Sequence, residues 1–309
     1  MRRLRVGLVG IGKIARDQHI PVLRASAQFE LVAAASRNAR VDGIANYPDL
    51  ASMLGSRPEL DCIAICTPPQ AHFGATALAL DAGKHVLLEK PPASTTREIA
   101  LLAAQAAKRE RTLFQTWHSR FAAGVAPARA WLATRRLRSA SIEWKEDVRV
   151  WHPGQQWIWE PGGYGVFDPG INALSMLTEI LPQEVLVTSA HLKFPANRQA
   201  PIAADLQLRT EDGIPIAAEF DFRHTGVQTW DIDLATDGGN LKLSMGGSQL
   251  SIDGAAHEPA DLRGEYVRLY ERFGELCVSR NSVVDWRPMQ LVADAFLVGE
   301  REMVEPFID

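Results

Sequence analysis

Hydrophobic and polar positions alternate in two different ways along the chain, and the change falls near residue 120. Before it, short apolar runs are separated by amphipathic stretches. Val6, Leu8 and Val9 predict a first buried strand, with a helix following that reaches Ile20-Pro-Val-Leu. Phe29 to Ser36 predicts a second strand, Tyr47-Pro-Asp-Leu and the next residues a short helix, and Asp61 to Cys66 a third strand. Ala75 to Ala82 reads as a helix with Gly83 as its C-cap, and Lys84 to Leu88 as another strand. Ala93 to Lys108 is helical, capped by Ser94 or Thr95 with Glu98 a turn later, and Thr112 to Trp117 is a further strand. Strand and helix in strict alternation predict a doubly wound, mostly parallel sheet.

Beyond that point the rhythm changes. Ala126 to Thr134 predicts a helix, Ser139 to Val150 a strand with one wet face, and Asn172 to Leu181 a helix. Strand-like runs then follow one another without helices: Val185 to Phe194, Ala203 to Thr210, Ile214 to Phe222, Gln228 to Ala235, Asn240 to Ser244 and Gln249 to Ile252. Turn signals such as Glu211-Asp-Gly and Asp237-Gly-Gly separate them, which predicts an open, mostly antiparallel sheet. Glu265 to Cys277 and Pro288 to Gly299 read as closing helices. The expected fold class is therefore α/β with two domains, residues 1–120 and 121–309, the last helix (288–299) packing back on the first domain.

Composition narrows the classes. A chain of 309 residues can fill two cores. Hydrophobic residues are 46% and charged residues 23%, as in ordinary soluble globular proteins, and the formal net charge is -4. That charge gives no electrostatic reason to expect nucleic acid or an anionic membrane as partner. Met1-Arg-Arg runs directly into the first strand, and no apolar run approaches membrane-spanning length. The three cysteines, Cys62, Cys66 and Cys277, are too sparse for a disulfide framework, so a reducing, cytoplasmic setting is expected. Cys62 and Cys66 read as small buried hydrophobes, and no metal is expected.

Candidate chemistry begins at Gly10-Ile-Gly12-Lys13-Ile14-Ala15, a G-x-G-x-x-A pattern between a strand and a helix. Gly10 permits the tight turn, Gly12 lets a pyrophosphate approach the backbone, and Ala15 lets the helix pack on the strand. The N–H groups that open the helix face the anion. An NAD-preferring unit usually ends its second strand in Asp or Glu, whereas this one ends in Ser36-Arg37-Asn38. Arg37 can hold a 2′-phosphate, with Ser36 adding a bond, so NADP is expected to bind at least as well as NAD. The strand ending at Thr67-Pro68-Pro69, followed by His72, leaves its carboxyl end open to the same cofactor. Glu89-Lys90-Pro91-Pro92 follows the next strand, and its prolines fix where the Lys90 ammonium points. Beside a bound cationic nicotinamide, that lysine is expected to have a lowered pKa and to serve in proton transfer, unless it is simply a surface lysine.

A second cluster spans Trp157 to Asn172, with Gly162, Gly163, Gly165 and Gly170 around Asp168. The glycines let the backbone pass close to something flat. Asp168 and Asn172 lie four apart at a helix start, hence on one face, although Asp168 also suits an N-cap.

In this order and spacing, the glycine turn, Thr67-Pro-Pro, Glu89-Lys90-Pro91 and Gly162-Gly163-x-Gly165-x-x-Asp168-x-Gly170-x-Asn172 resemble the glucose–fructose oxidoreductase/inositol dehydrogenase family over nearly the whole chain. The resemblance implies a Rossmann dinucleotide-binding domain joined to an α/β domain whose open sheet often serves oligomer contacts, so a homodimer or homotetramer is expected. It implies sugar or cyclitol chemistry with a nicotinamide, and it makes Lys90 and Asp168 the catalytic or substrate-contact residues. Where the family usually has His, this chain has Asn172, which cannot act as a base, so the proton chemistry moves to Asp168 or Lys90. Asn172, together with Thr116-Trp-His-Ser-Arg, Trp144-Lys-Glu-Asp-Val-Arg and the stretch from Trp151 to Glu160, resembles the family's aldose 1-dehydrogenase branch, which takes L-arabinose and D-galactose. That implies oxidation at C1 to a lactone. Glu89 and Lys90 join Gly10, Gly12, Lys13, Ile14, Ser36, Arg37, Thr67, Pro68 and His72 as expected cofactor contacts. His118, Glu146, Trp151, Asp168, Asn172 and Trp230 are the expected sugar contacts. Plainer readings stay open: Trp230 as sheet core, His118 as a satisfied buried histidine, Glu146 as a solvated strand residue, and the whole as a cyclitol dehydrogenase or a non-catalytic NADP-binding regulator.

Overall fold

The computed structural model describes residues 2–258 and 261–308, which divide into two compact units. The first comprises the chain up to Trp117 together with Tyr266–Trp286, and the second His118–Glu265 together with the chain from Arg287 onward.

In the first unit, six parallel strands lie in the order β3-β2-β1-β4-β5-β6: β1 Leu4–Val9, β2 Phe29–Ala35, β3 Ala45–Tyr47, β4 Cys62–Ile65, β5 His85–Leu88 and β6 Leu113–Gln115. This is the dinucleotide-binding order, with its switch point between β1 and β4. A π-helical turn, Ala15–His19, runs into α1, Ile20–Ala25. Helices α2 (Leu50–Ser56), α3 (His72–Asp81) and α4 (Thr96–Lys108) pack side by side. Their ends follow local rules. Asp49 caps α2 by accepting the Ser52 N–H. Thr95 and Glu98 form a capping box on α4. Helix α3 stops at Gly83, whose φ of 71° allows its N–H to bond Leu80 O while Lys84 N–H bonds Ala79 O. The short strand β3 replaces the start of the helix expected at Tyr47.

Helix α8, Glu265–Ser279, completes this unit's core. Tyr270 meets Phe29 edge-on at 5.4 Å, and Phe273 stacks on Phe29 at 5.7 Å and on Phe114 at 6.1 Å. Phe273 is fully buried, and each such ring contributes about 2–3 kcal/mol of burial. The helix that joins the first unit is thus α8, not the last one. Helix α9, Arg287–Val298, buries Met289, Leu291 and Val292 in the second unit, where it lies against its neighbours α7 (Phe167–Ile180) and β8 (Val185–Pro195). Large aromatic residues on one face of α8 suit the aromatic face it covers.

The second unit is built on a nine-stranded sheet. Its strands β7 to β15 are Leu137–Lys145, Val185–Pro195, Ala203–Thr210, Pro215–Asp221, Thr229–Thr236, Gly239–Ser244, Gln249–Ile252, Ala255–His257 and Glu300–Val304. Their order is β14-β13-β12-β11-β7-β10-β9-β8-β15, antiparallel except for β7 with β10 and β8 with β15. The alternation is strict on β7, where Ala140, Ile142 and Trp144 point inward while Ser139, Ser141 and Glu143 stay exposed. Helix α7 and α5 (Val125–Leu132) lie together, and α7 packs against β7 and β11. Strand β7 stops before Val150, because Asp147 accepts the Arg149 N–H and starts the short helix α6, Val148–Trp151. The last strands, β14 and β15, are too short or too polar to have shown an alternating pattern.

Candidate active site

Every expected cofactor residue of the first unit lies on or just past the glycine turn or a carboxyl end of the parallel sheet. Strand β1 ends into Gly10 and β2 into Ser36-Arg37; β4 leads to Thr67-Pro68 and β5 to Glu89-Lys90. At Gly10 the φ is 87°, and a Cβ would lie 2.8 Å from the backbone of Cys66 and Thr67. The glycine therefore lets β1 and β4 close on each other. At Gly12 a Cβ would meet nothing within 4 Å, so this stretch of backbone is open to a ligand. Ala15 is fully buried under the helix, Ile14 is half-buried, and the exposed Lys13 ammonium bonds Asp17. Arg37 is exposed and makes no side-chain bond among the described residues, while Ser36 Oγ accepts the Asn38 N–H at 3.4 Å. Thr67 Oγ1, Thr116 Oγ1 and the Gln115 amide, all at strand ends, are buried polar groups with no hydrogen-bond partner. Native proteins leave few such groups, and these fit a dinucleotide supplying the missing partners.

Two of the expected contacts have other work. His72 is fully buried, with Nδ1 2.9 Å from Pro91 O and Nε2 2.5 Å from Thr67 O. Its side chain clips two loops together instead of reaching a cofactor, and burial, above all, holds its pKa below the ordinary value. Glu89 is also buried. Its Oε1 accepts from His19 Nε2 at 2.9 Å and from Tyr266 Oη at 2.8 Å, and its Oε2 accepts the Lys90 N–H at 2.9 Å. Lys90 itself is half-buried, and the Lys90–Pro91 peptide is cis.

The second unit gathers the polar groups of its own cluster around His152. Glu146 Oε2 accepts the indole N–H of Trp230 at 2.7 Å, and Glu146 Oε1 lies 2.9 Å from His152 Nε2. His152 Nδ1 has no hydrogen-bond partner and is 3.6 Å from Asp168 Oδ2. Glu146 is buried, not solvated on its strand. Trp230 stacks on Trp144 at 5.8 Å and meets Trp151 edge-on at 4.6 Å, with Trp151 36% exposed. Trp230 is half-buried. Asp168 sits in the first turn of α7, but the N-cap is Val166, so Asp168 is not the cap. One turn on, Asn172 is half-buried on the same face, and its side chain has no hydrogen bond among the described residues. His118 is drawn aside, its Nδ1 2.7 Å from Glu265 Oε2.

The glycines of this cluster serve the chain's own packing. A Cβ on Gly163 would lie 2.3 Å from Trp157 O, one on Gly165 (φ 54°) 2.3 Å from Pro201 O, and one on Gly170 2.8 Å from the Phe220 ring. What they approach closely is mostly backbone, and Gly170 lets α7 sit close on Phe220 of β10. His152 was missing from the expected site although it stands beside Trp151. The available signal was Glu146 and His152 flanking a turn that Asp147 caps.

The model of the glucose–fructose oxidoreductase/inositol dehydrogenase family, an oxidoreductase family with an NAD-binding Rossmann fold, matches residues 4–116. Galactose 1-dehydrogenase of Pseudomonas fluorescens is 47% identical over 310 residues, covering 100% of both chains. The chain belongs to this family. A crystal structure of D-galactose-1-dehydrogenase protein from Rhizobium etli, 51% identical, superposes with a TM-score of 0.94 over 100% of this chain and 99% of that one. A 3-ketoreductase from Actinomadura kijaniata in complex with NADP and TDP-benzene, 20% identical, shares the fold of the family with a TM-score of 0.86 over 98% of this chain and 100% of its own. As a family member the protein is an oxidoreductase, and its six-stranded unit is the NAD-binding part. Among the described residues no helix is long and apolar enough to cross a membrane.

Proposed function

We propose that this oxidoreductase oxidises an aldopyranose at C1, with D-galactose and L-arabinose as substrates and NADP accepted at least as well as NAD. The observation that carries this reading is the cluster of the second unit: two carboxylates, Glu146 and Asp168, either side of His152 and next to the Trp230 and Trp151 rings. Indole faces pack on sugar C–H groups, and fixed carboxylate and imidazole groups select hydroxyl geometry. The full-length relatives named for galactose 1-dehydrogenase support it.

The nicotinamide, when bound, supplies the hydride acceptor. Hydride leaves C1, the anomeric hydroxyl loses its proton, and the C1–O bond becomes the lactone carbonyl. Asp168 is the assigned proton acceptor. His152, one nitrogen engaged by Glu146, presents its other nitrogen towards Asp168 at 3.6 Å. Asn172 offers its amide to the sugar hydroxyls. Lys90 is assigned to the reacting proton as well, as the side chain that follows β5. Arg37 makes no side-chain bond among the described residues and is assigned to the 2′-phosphate by charge-assisted bonds. Three buried free thiols suit a reducing compartment. The exposed outer face of the nine-stranded sheet, with Ser141, Glu143, Ala217 and Glu219, is the assigned contact of a homo-oligomer, which light scattering measures.

Initial rates of NADP and NAD reduction with each sugar, with lactone detected as product, test the reading. Lactone with rapid NADP reduction is expected. Replacing Arg37 by Ala is expected to weaken NADP binding about 10- to 100-fold and leave NAD unchanged. No reduction with either sugar, or a ketone from a cyclitol instead, overturns it.

A further inference from the structure

The first unit holds a buried polar network that the reaction above leaves without a task. His19, Glu89, Tyr266 and Tyr270 are all at most 4% exposed. Tyr270 Oη is 2.7 Å from His19 Nδ1, His19 Nε2 is 2.9 Å from Glu89 Oε1, and Tyr266 Oη donates to that same oxygen at 2.8 Å. Glu89 Oε2 accepts the main-chain N–H of Lys90 at 2.9 Å. With a proton on Nε2 the imidazole donates to Glu89, and Nδ1 meets the Tyr270 hydroxyl, which can donate or accept. Cys66 and His72, the other titratable groups whose fields involve Glu89, are buried as well.

A carboxylate inside a protein is unfavourable unless bonded, and an apolar set of the same shape is often as stable. This one sits directly before Lys90, and the main-chain group it holds is that of Lys90. The histidine that orients it closes the π-helical turn Ala15–His19, and such turns are rare and concentrate at functional sites. That turn continues the glycine turn, so the network ties the dinucleotide-binding helix to the lysine segment.

We propose that Glu89, oriented by His19 and Tyr266, is the positioning residue for Lys90: its carboxylate fixes the main chain at Lys90 through the N–H and so sets where the ammonium is presented. The proposal rests on the reading that Lys90 handles the reacting proton. In Glu89→Gln the amide oxygen still accepts from His19 and Tyr266, but the NH2 then faces the Lys90 N–H, donor against donor.

The test is steady-state kinetics of Glu89→Gln, Tyr266→Phe and Lys90→Met with D-galactose, together with NADP affinity from tryptophan quenching. Glu89→Gln is expected to lower kcat about 10- to 100-fold with the KM for D-galactose and the NADP Kd within about threefold, because misplacement acts on the reacting geometry and not on uniform binding. Tyr266→Phe removes a donor to Oε1 and is expected to lower kcat by a smaller factor with the same split; it decides the matter if Glu89→Gln does not fold. Normal kcat in Glu89→Gln with an inactive Lys90→Met overturns the positioning role and leaves the lysine assignment standing. Full activity in Lys90→Met overturns that assignment and the proposal with it. Parallel loss of NADP binding, KM and kcat marks a merely structural network and also overturns it.

Discussion

Two histidine–carboxylate clusters, one in each unit, are made from similar parts and differ in what they leave uncovered. Around His19 both ring nitrogens are engaged, at 2.7 and 2.9 Å, and the imidazole is fully buried. Around His152 one nitrogen is engaged at 2.9 Å, the other has no hydrogen bond, and the side chain is 14% exposed. Asn172, one turn of α7 beyond Asp168, is half-buried, and Trp151, the neighbour of His152 in the chain, is partly exposed. A buried polar group without a partner costs about 1–3 kcal/mol, so the histidine whose nitrogens are both engaged can act only through the groups it holds, and the one with a nitrogen left over is suited to a ligand. Presence of histidine and carboxylate does not distinguish the two, whereas the accounting of their bonds does.

The largest effect that would break this contrast lies in the open cluster. Asp168→Ala is expected to lower kcat about 10²- to 10⁴-fold while thermal melting and NADP binding stay as in the parent. A large fall in melting temperature would make Asp168 part of the scaffold. The glycine turn repeats the contrast between closed and open surroundings. Gly10→Ala places a Cβ 2.8 Å from backbone at positive φ, and is expected to cost about 3 kcal/mol of stability. Gly12→Ala meets no atom within 4 Å, and is expected to melt normally while dinucleotide affinity falls about tenfold. Equal melting of the two variants would refute the distinction.

A smaller, paired effect comes from single hydrogen bonds. Tyr270→Phe leaves His19 Nδ1 without its hydroxyl partner and is expected to cost about 1–2 kcal/mol in denaturant unfolding. Trp230→Phe frees Glu146 Oε2 and is expected to raise the sugar KM with little change in stability. The smallest is a pH effect. The half-buried His85 has its pKa lowered to about 4 by desolvation, with Arg111 and Arg280 adding to it, and its Nδ1 accepts the Thr112 N–H at 3.1 Å. Between about pH 6.5 and pH 4 the unfolded chain binds the proton and the folded chain does not, so stability falls as pH drops through that window. Melting curves of His85→Asn are expected to show a shallower decline from pH 7 to pH 5.

Features encoded by neighbours in the chain were legible in the sequence. Thr95 and Glu98 announce the start of α4, and Gly83 its neighbour's end, because capping is decided within a few residues. The order of the glycine turn and of Arg37, Lys90 and Asp168 was legible for the same reason. Distant partnerships were not. His19 looks like one polar residue in a polar stretch until Tyr270, far along the chain, bonds it. The placement of α8 in the first unit depends on Phe29 and Phe114, which no periodicity in α8 reveals. Glu146, a charged residue just past β7, keeps the parity of the inward-facing Ala140, Ile142 and Trp144, and the turn at Asp147 brings His152 back against it; its charge and not its register suggests a wet residue.

Helix α8 also governs the order in which the protein can be made. The first unit's sheet leaves the ribosome early, but Tyr270 and Phe273, which seal one of its faces, and Tyr266, which holds Glu89, are synthesised only near the end of the chain. Until then Phe29 and Phe114 lack their ring partners, and the nascent sheet carries uncovered aromatic surface through the whole synthesis of the second unit. A stalled or truncated transcript should therefore yield a product that chaperones retain, and domain-by-domain folding during translation is closed to the half of this enzyme that comes first.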